Sequence, residues 1–457
     1  MKRGLPVLCV GLVMAGLFTQ LSAAAFTGAI STPGNVVTVD KLANYFAVTP
    51  ISAAANGGVD TLSIDFGTVA SARTFTSVFR ITNVSSATRT ANLTLSNAPQ
   101  VASISPTSAA LAAGASVTVD VATSSTVAGR ANGTLRLGLG GSTWLYRDYS
   151  FKLDEAPEAP TAPAIAQKPA GRLDLSWTAS TTVTNLAGYD VYRSSGGGYT
   201  KLTATPQTAT TYSDTSTVNG TTYTYKLTAV SSGSPTLTSL DSPTVTATAD
   251  ATPPGAPTTI ALANGGGAAN AYVNGGNAGN LSVSVTLPGG SLTSDVVQLT
   301  ISNGANSVSA NKAGPNGAGT ITFTGLNVSG LGDGGITLSA KSTDLAGNVS
   351  STTSVGVTKD TAAPGAPTAS YTDNNNTVAD VISGTAEANA SIAVTKNSPA
   401  PPASYSTSAN GSGSYTVNVA GTNGKPATPI AVSYSITATD AAGNTSNATA
   451  LNFTDTK

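Results

Sequence analysis

Carboxylates are the main side chains in this chain that could do chemistry. The sequence has no histidine, and its one cysteine, Cys9, lies in an N-terminal segment that we expect to be removed. Ser-His-Asp and Cys-His catalysis are therefore excluded, as are metal sites built on His or Cys. Acid–base work would have to rest on aspartates and on a few glutamates.

The glutamates are Glu155, Glu158 and Glu387. The first two lie in a proline-rich stretch, where we expect no rigid scaffold to hold them at the separation of roughly 5 to 9 Å that a glycosidase pair requires. The aspartates are scattered over predicted turns and strand ends. The residues therefore predict a protein that is not an enzyme.

A turn of the form Asp-Xaa-Ala-Gly-Asn occurs twice, at 344–348 and 440–444. Asp and Asn bond to their own backbone and Gly avoids a Cβ clash, so a tight turn without an ion explains the pattern. The alternative is a calcium site at a domain junction, built on hard oxygen ligands. The four candidate ligands are Asp344 and Asp360 in one repeat and Asp440 and Asp455 in the next. The spacing leaves both alternatives open.

An aromatic cluster at 144–149 is unusual in a chain with only 5% aromatic residues. Trp144 and Tyr146 are the candidates for binding, since exposed aromatic rings mark binding faces. The alternation of the segment predicts that at least half of it faces a core, which favours packing over binding. Exposure of Trp144 and Tyr146 would distinguish the two.

Strands must position these side chains, because the composition is typical of strands and turns. Charged residues make up 9% of the 457 residues, and apolar residues alternate with a period of two between clusters of Gly, Asn, Pro and Ser. The length fits about four domains of roughly 100 to 150 residues. We therefore predict an all-β chain of about four tandem β-sandwiches.

The N-terminus predicts secretion. A charged start, an apolar run from Leu5 to about Leu21 and small residues after it indicate a signal peptide at residues 1–25. No second apolar run is long enough to span a bilayer, and a net charge of −1 gives no basic footprint for nucleic acid. We expect an extracellular protein that is secreted or held on the cell surface without a covalent anchor.

Residues 26–153 are predicted to form the first sandwich. The phrases at 64–69, 79–83 and 111–119 resemble those of the immunoglobulin-like sandwiches of the ASH or major-sperm-protein-like class. The resemblance implies a binding or spacer module and no activity.

Residues 154–250 are predicted to hold a proline-rich linker and then a second sandwich. The linker, 155–163, is expected to be an extended, semi-rigid spacer. The segments at 173–177, 189–193 and 218–230 resemble the strands of a fibronectin type III domain. The resemblance implies that Trp177 is the core indole and that the hydroxyl of Tyr223 ties down the turn before its strand.

Residues 251–360 and 361–457 are predicted to be two related sandwiches. Their Asp-Xaa-Ala-Gly-Asn turns lie 96 residues apart (440 − 344), close to the length of one immunoglobulin-like domain. They resemble the tandem bacterial immunoglobulin-like repeats of large adhesins and biofilm proteins, which implies end-to-end stacking into a rod.

Two functions of different classes follow. One is a secreted, non-catalytic bacterial surface protein that serves as a spacer or adhesion rod and meets an extracellular protein or glycan. The other is an accessory, carbohydrate-associated module of an extracellular polysaccharide-degrading system, since the resemblance to fibronectin type III modules implies association with glycoside hydrolases. No cofactor is predicted apart from calcium at the C-terminal junctions.

Overall fold

The computed structural model describes residues 30–32, 35–37, 41–374, 379–419 and 429–455. The predicted signal peptide lies outside these residues. The chain forms two compact units, one made of 1–167 with 171–249 and the other of 168–170 with 250–457. Four hydrophobic cores, two in each unit, define four sandwiches among the described residues. The predicted all-β fold is confirmed.

A short hairpin and the first sandwich begin the first unit. The hairpin is β1 (Ile30–Thr32) and β2 (Asn35–Val37). The first sandwich contains β3 (Phe46–Pro50), β4 (Ala55–Asn56), β5 (Ser63–Val69), β6 (Thr74–Asn83), β7 (Arg89–Ser96), β8 (Val101–Ser105), β9 (Ser108–Leu111), β10 (Ser116–Thr123), β11 (Gly129–Leu139) and β12 (Tyr146–Glu155), with a 3-10 turn at Leu42–Asn44. Its sheets have the orders β3-β6-β10-β8 and β4-β5-β12-β11-β7-β9.

The second sandwich completes the first unit. Its strands are β13 (Ala164–Gln167), β14 (Leu173–Ser176), β15 (Leu186–Ser194), β16 (Thr200–Lys201), β17 (Thr211–Asp214), β18 (Thr222–Ser231) and β19 (Val245–Thr248). They form a sheet β13-β14-β17 and a sheet β16-β15-β18-β19. A 3-10 turn at Pro169–Gly171 lies between β13 and β14.

The third sandwich begins the second unit. Its strands are β20 (Thr259–Leu262), β21 (Tyr272–Val273), β22 (Leu281–Leu287), β23 (Val296–Ser302), β24 (Ser307–Ala313), β25 (Gly319–Leu326), β26 (Gly334–Thr343) and β27 (Thr353–Lys359), with a 3-10 turn at Ala268–Asn270. The sheet orders are β20-β22-β25 and β21-β27-β26-β23-β24.

The fourth sandwich has one strand fewer on its larger sheet than the third. Its strands are β28 (Ser370–Thr372), β29 (Asp380–Thr385), β30 (Ser391–Ser398), β31 (Ala403–Ser408), β32 (Ser414–Val419), β33 (Ile430–Thr439) and β34 (Thr449–Asp455). The sheet orders β28-β29-β32 and β31-β30-β33-β34 repeat the plan of the second sandwich.

Period-two alternation explains why these segments form strands around a core. In β22, the side chains of Leu281, Val283, Val285 and Leu287 are all buried and the residues between them are partly exposed. Successive side chains of a strand point to opposite faces, so this alternation places one apolar face inward. The apolar face drives the packing of the two sheets by removing its surface from water.

The core of the second sandwich contains the two residues that the fibronectin resemblance singles out. The Trp177 ring packs edge-on against Tyr189, with ring centroids 5.6 Å apart. Tyr223 is buried, and its hydroxyl oxygen accepts a hydrogen bond of 3.0 Å from the backbone N–H of Val218. A core indole and a tied-down turn therefore occur at these positions.

The proline-rich linker in the first unit is packed rather than solvated. Ala156, Pro157 and Pro160 are buried. The hydroxyl of Ser180, in the second sandwich, donates to the Glu158 carbonyl oxygen at 2.7 Å. The expectation that no rigid scaffold holds the two glutamates is wrong, because the Ala156 N–H donates to the Val69 carbonyl oxygen of the first sandwich and the Glu158 N–H donates to the Thr182 hydroxyl of the second.

No helix among the described residues is long and apolar enough to cross a bilayer.

Candidate functional site

Each Asp-Xaa-Ala-Gly-Asn turn is closed by its own first and last residues. In the turn at 440–444, the Asp440 carboxylate accepts the backbone N–H of Asn444 on Oδ1 at 2.8 Å and the Asn444 amide on Oδ2 at 2.9 Å. Gly443 has a φ of 89°, a conformation that suits glycine. The turn is thus complete without an ion.

The turn at 344–348 repeats this geometry. Asp344 accepts the Asn348 N–H at 2.8 Å and the Asn348 amide at 2.9 Å. Gly347 also has a φ of 89°. Equal distances in two turns show that the five-residue sequence specifies the local structure.

The asparagine of each turn also bonds to backbone outside the turn. Asn444 Nδ2 donates to the Asp360 carbonyl oxygen at 2.9 Å, and Asn444 Oδ1 accepts the Gly275 N–H at 2.8 Å. Asn348 makes the corresponding bonds to the Asp250 carbonyl oxygen at 3.0 Å and the Ala170 N–H at 2.9 Å. Both asparagines are buried. Each asparagine side chain thus donates through Nδ2 and accepts through Oδ1.

The structure separates the aspartates that the sequence groups by repeat. Asp344 follows the end of β26 and Asp360 follows the end of β27, and these strands are antiparallel with Gly334 opposite Lys359. The ten-residue length of β26 puts the two aspartates about 30 Å apart at 3.4 Å per residue. One ion cannot bridge them.

The fourth sandwich separates its own pair in the same way. Asp440 follows β33, whereas Asp455 pairs through its backbone with Ile430 at the other end of β33. Asp360 and Asp440 are instead brought together, through their shared bonds to Asn444. No group of three Asp or Glu side chains suited to a metal occurs among the described residues. The calcium site at the domain junctions stays a prediction from the sequence.

The aromatic cluster divides between core and solvent. Trp144 is 65% exposed, whereas Leu145 and Tyr149 are buried, and Tyr149 Oη donates to the Val59 carbonyl oxygen at 2.7 Å. Packing therefore explains part of the cluster, whereas Trp144 lies on its exposed side. Its indole is available to a partner.

Tyr146 is half-buried beneath a charged group. The Arg136 guanidinium lies 3.7 Å from the centre of the Tyr146 ring, and the same guanidinium makes a two-pronged ion pair with Asp148 at 2.7 and 2.8 Å. One face of Tyr146 is thereby covered. The exposed aromatic surface that remains is mainly Trp144.

Glu155 is a functional candidate that the sequence reasoning missed. It is the last residue of β12 and is fully buried, and neither carboxylate oxygen has a hydrogen-bond partner among the described residues. Desolvation raises the pKa of Glu155 to about 7, and the nearby Glu158 adds to the rise. Arg73 and the Thr123 hydroxyl oppose the rise in pKa, but that hydroxyl donates to the Arg73 carbonyl oxygen at 3.4 Å. The side chain can therefore hold a proton near neutral pH.

A signal in the sequence could have identified Glu155. Phe151, Leu153 and Glu155 alternate along β12, and all three are buried. The apolar pattern thus predicts that Glu155 points inward. Its proximity to the prolines led instead to the expectation that no rigid scaffold holds it.

Comparison with known proteins identifies the C-terminal sandwich. Residues 363–455 match the bacterial Ig domain family. The chain is a multi-domain protein of immunoglobulin-like and fibronectin type III-like sandwiches.

Short segments resemble parts of much larger proteins. A stretch of 72 residues is 40% identical to the amylopullulanase of Thermoanaerobacterium saccharolyticum, covering 15% of this chain and 6% of that protein. A stretch of 73 residues is 40% identical to the amylopullulanase of Thermoanaerobacterium thermosulfurigenes, covering 16% and 4%. The chain thus spans a small fraction of these relatives.

Solved structures with similar sandwiches include adhesin segments. A tetra-tandem repeat from the extending region of a large adhesion protein is 19% identical, with a TM-score of 0.23, over 84% of this chain and 96% of that chain. A Fn3-like protein from Clostridium thermocellum is 34% identical, with a TM-score of 0.17, over 20% and 91%.

Proposed function

We propose that this chain is a secreted, non-catalytic bacterial surface protein whose tandem sandwiches serve as a structural spacer or adhesion module. The observation that carries the proposal is the bonding of neighbouring sandwiches within each unit. In the first unit, the Thr182 hydroxyl donates to the Ser125 carbonyl oxygen at 3.0 Å and Asn185 Nδ2 to the Ala128 carbonyl oxygen at 2.8 Å. Packed joints suit a protein that holds a position, since a free linker would let the modules swing.

The residue content supports a role without catalysis. The sandwiches found here are of kinds that are typically non-catalytic. The chain has no histidine, and Glu155, whose pKa is raised to about 7, is sealed in a core rather than placed in a cleft.

Cell fractionation and attachment tests examine this function. The full chain, with its N-terminal leader, should appear in the medium or on the outside of a bacterial host, and high salt or mild detergent should release the attached part. Cells that produce it should attach to a surface or to one another more than cells with an empty vector. Retention in the cytoplasm, or equal attachment in both strains, would contradict the proposal.

A second function is favoured by the exposed indole of Trp144. In this role the chain would be a carbohydrate-associated accessory module, and the amylopullulanase relatives point to α-glucans as the first polysaccharides to test. An exposed aromatic ring can stack on a sugar ring.

Affinity electrophoresis through gels containing amylose, pullulan or no polysaccharide tests this second function. Trp144→Ala should abolish any retardation of the wild-type protein. Tyr199→Ala, which removes another exposed aromatic side chain, is the matched control and should leave retardation unchanged. A wild-type chain that no polysaccharide retards would reject this function.

A further inference from the structure

The two linkers that enter the C-terminal sandwiches are held in the same way. The linker at 250–258 is fixed at its start by Asn348, through the Asp250 carbonyl oxygen, and near its end by the Thr353 hydroxyl, through the Pro257 carbonyl oxygen. Each linker thus has two fixed points provided by the sandwich that follows it.

The linker at 360–368 repeats these fixed points. Asn444 bonds to the Asp360 carbonyl oxygen at 2.9 Å, and the Thr449 hydroxyl donates to the Pro367 carbonyl oxygen at 2.5 Å. Two linkers with the same fixed points in the same order indicate one joint used twice.

The turn and the linker that it holds belong to one sandwich, although they are far apart in sequence. Asn348 follows Asp250 by 98 residues, and Asn444 follows Asp360 by 84 residues. Each turn holds the linker before its own sandwich and not the linker that comes next in the chain.

We propose that Asn444 is a clamp that locks the fourth sandwich to its entering linker and to a loop of the third sandwich. For Asn444 the partner surface is the loop of the third sandwich at 266–275. In this loop, the Gly275 N–H donates to Asn444 Oδ1 at 2.8 Å, and Asn274 Nδ2 donates to the Ala442 carbonyl oxygen at 2.9 Å.

Close backbone contact on both sides supports this assignment. A Cβ built on Gly266 would lie 2.3 Å from the Ala442 carbonyl oxygen, and one on Gly267 would lie 2.3 Å from the Ala441 carbonyl oxygen. Such contacts are closer than side chains allow. The turn and the loop therefore fit only because glycine occupies both positions.

An asparagine is the residue that this position requires. Its amide donates to the Asp440 carboxylate and the Asp360 carbonyl oxygen, while its oxygen accepts from Gly275. An aspartate has the same shape but no amide donors, and its charge would face the Asp440 carboxylate. Asn444→Asp is therefore a nearly isosteric change that should open the clamp.

Pulsed electron–electron spin measurements on the full chain test the proposal. Spin labels on Ser307→Cys and Ser404→Cys, both exposed, report the distance between the third and fourth sandwiches. The one native cysteine, Cys9, lies in the predicted leader and is expected to be removed with it before labelling. We expect a narrow wild-type distribution that becomes at least twofold broader in Asn444→Asp. Asn447→Asp, an exposed asparagine three residues further on, makes the same charge change and should leave the width unchanged.

Two results would overturn the proposal. One is an Asn444→Asp distribution as narrow as that of the wild type. The other is a wild-type distribution that broadens when EDTA is added, because the clamp uses only protein groups and an ion would then be holding the joint. The circular dichroism spectrum of each variant should match that of the wild type. If Asn444→Asp fails to fold, Asn444→Gln provides a second test variant, which adds no charge and keeps the amide but displaces it. It should broaden the distribution as well, and a narrow one would count against the clamp.

Discussion

Replacing Glu155 with glutamine should remove a pH dependence from the stability of the first sandwich. The pKa of Glu155 rises from 4.5 to about 7 in the folded protein because burial disfavours the carboxylate. Since the raised pKa makes the folded state hold a proton that the unfolded state releases, folding is favoured most at low pH. The stabilisation relative to high pH is complete below about 4.5 and is lost as the pH rises through 7.

The size of the effect follows from the shift. One pKa unit corresponds to about 1.4 kcal/mol, so a shift from 4.5 to about 7 lowers the free energy of unfolding by roughly 3 kcal/mol between pH 4.5 and pH 8. Glu158 and Arg73, the charged groups that face Glu155, act in opposite directions. Glutamine has no charge to bury, so Glu155→Gln should be nearly flat over this range.

Hydrogen exchange of the β12 amides, corrected for the intrinsic effect of pH, measures this local free energy without assuming that the whole chain unfolds in one step. Wild-type protection in β12 should fall from pH 5 to pH 8, and protection in Glu155→Gln should not. Glu387→Gln changes an exposed glutamate of the second unit and serves as the control. Wild-type protection that does not change with pH, or that falls equally in the glutamine variant, would refute the reasoning.

Two further predictions concern the turns. Tyr223→Phe should lower the free energy of unfolding of the second sandwich by about 1 to 3 kcal/mol, because the Val218 N–H loses its partner. Chemical denaturation followed by Trp177 fluorescence measures this free energy. An unchanged denaturation midpoint would contradict the prediction. Adding millimolar calcium and then EDTA should leave the melting temperature of the second unit unchanged, because both Asp440 carboxylate oxygens already accept bonds from Asn444; a rise with calcium in a calorimetric scan would support the calcium site predicted from sequence.

Local patterns were enough to predict the fold. Alternation in segments such as β22 specifies which face is buried, and this rule needs no knowledge of distant residues. The predicted roles of Trp177 and Tyr223 also depend on nearby residues, since the Tyr223 hydroxyl bonds to a backbone group five positions away. The turn within 440–444 is local for the same reason.

The partners of the candidate sites could not be predicted in this way. Whether Trp144 lies on a core or in solvent depends on how two sheets pack around a turn, and the aspartates of one repeat were grouped by their closeness in sequence. Two neighbouring antiparallel strands run in opposite directions, so their C-terminal ends lie at opposite ends of the sandwich. Residues that follow two such strands can therefore be a whole strand length apart, although they belong to the same repeat.

The all-β class, the turns and the inward side of each strand follow from the sequence alone, because they depend on alternation and on bonds within a few residues. Tertiary packing is needed to bring Asn444 to Asp360 and Gly275, and to leave both carboxylate oxygens of Glu155 without a hydrogen-bond partner among the described residues. The reason is that separate sandwiches and sheets meet at these places, which brings Gly275 and Asn444, 169 residues apart in the chain, into hydrogen-bond contact.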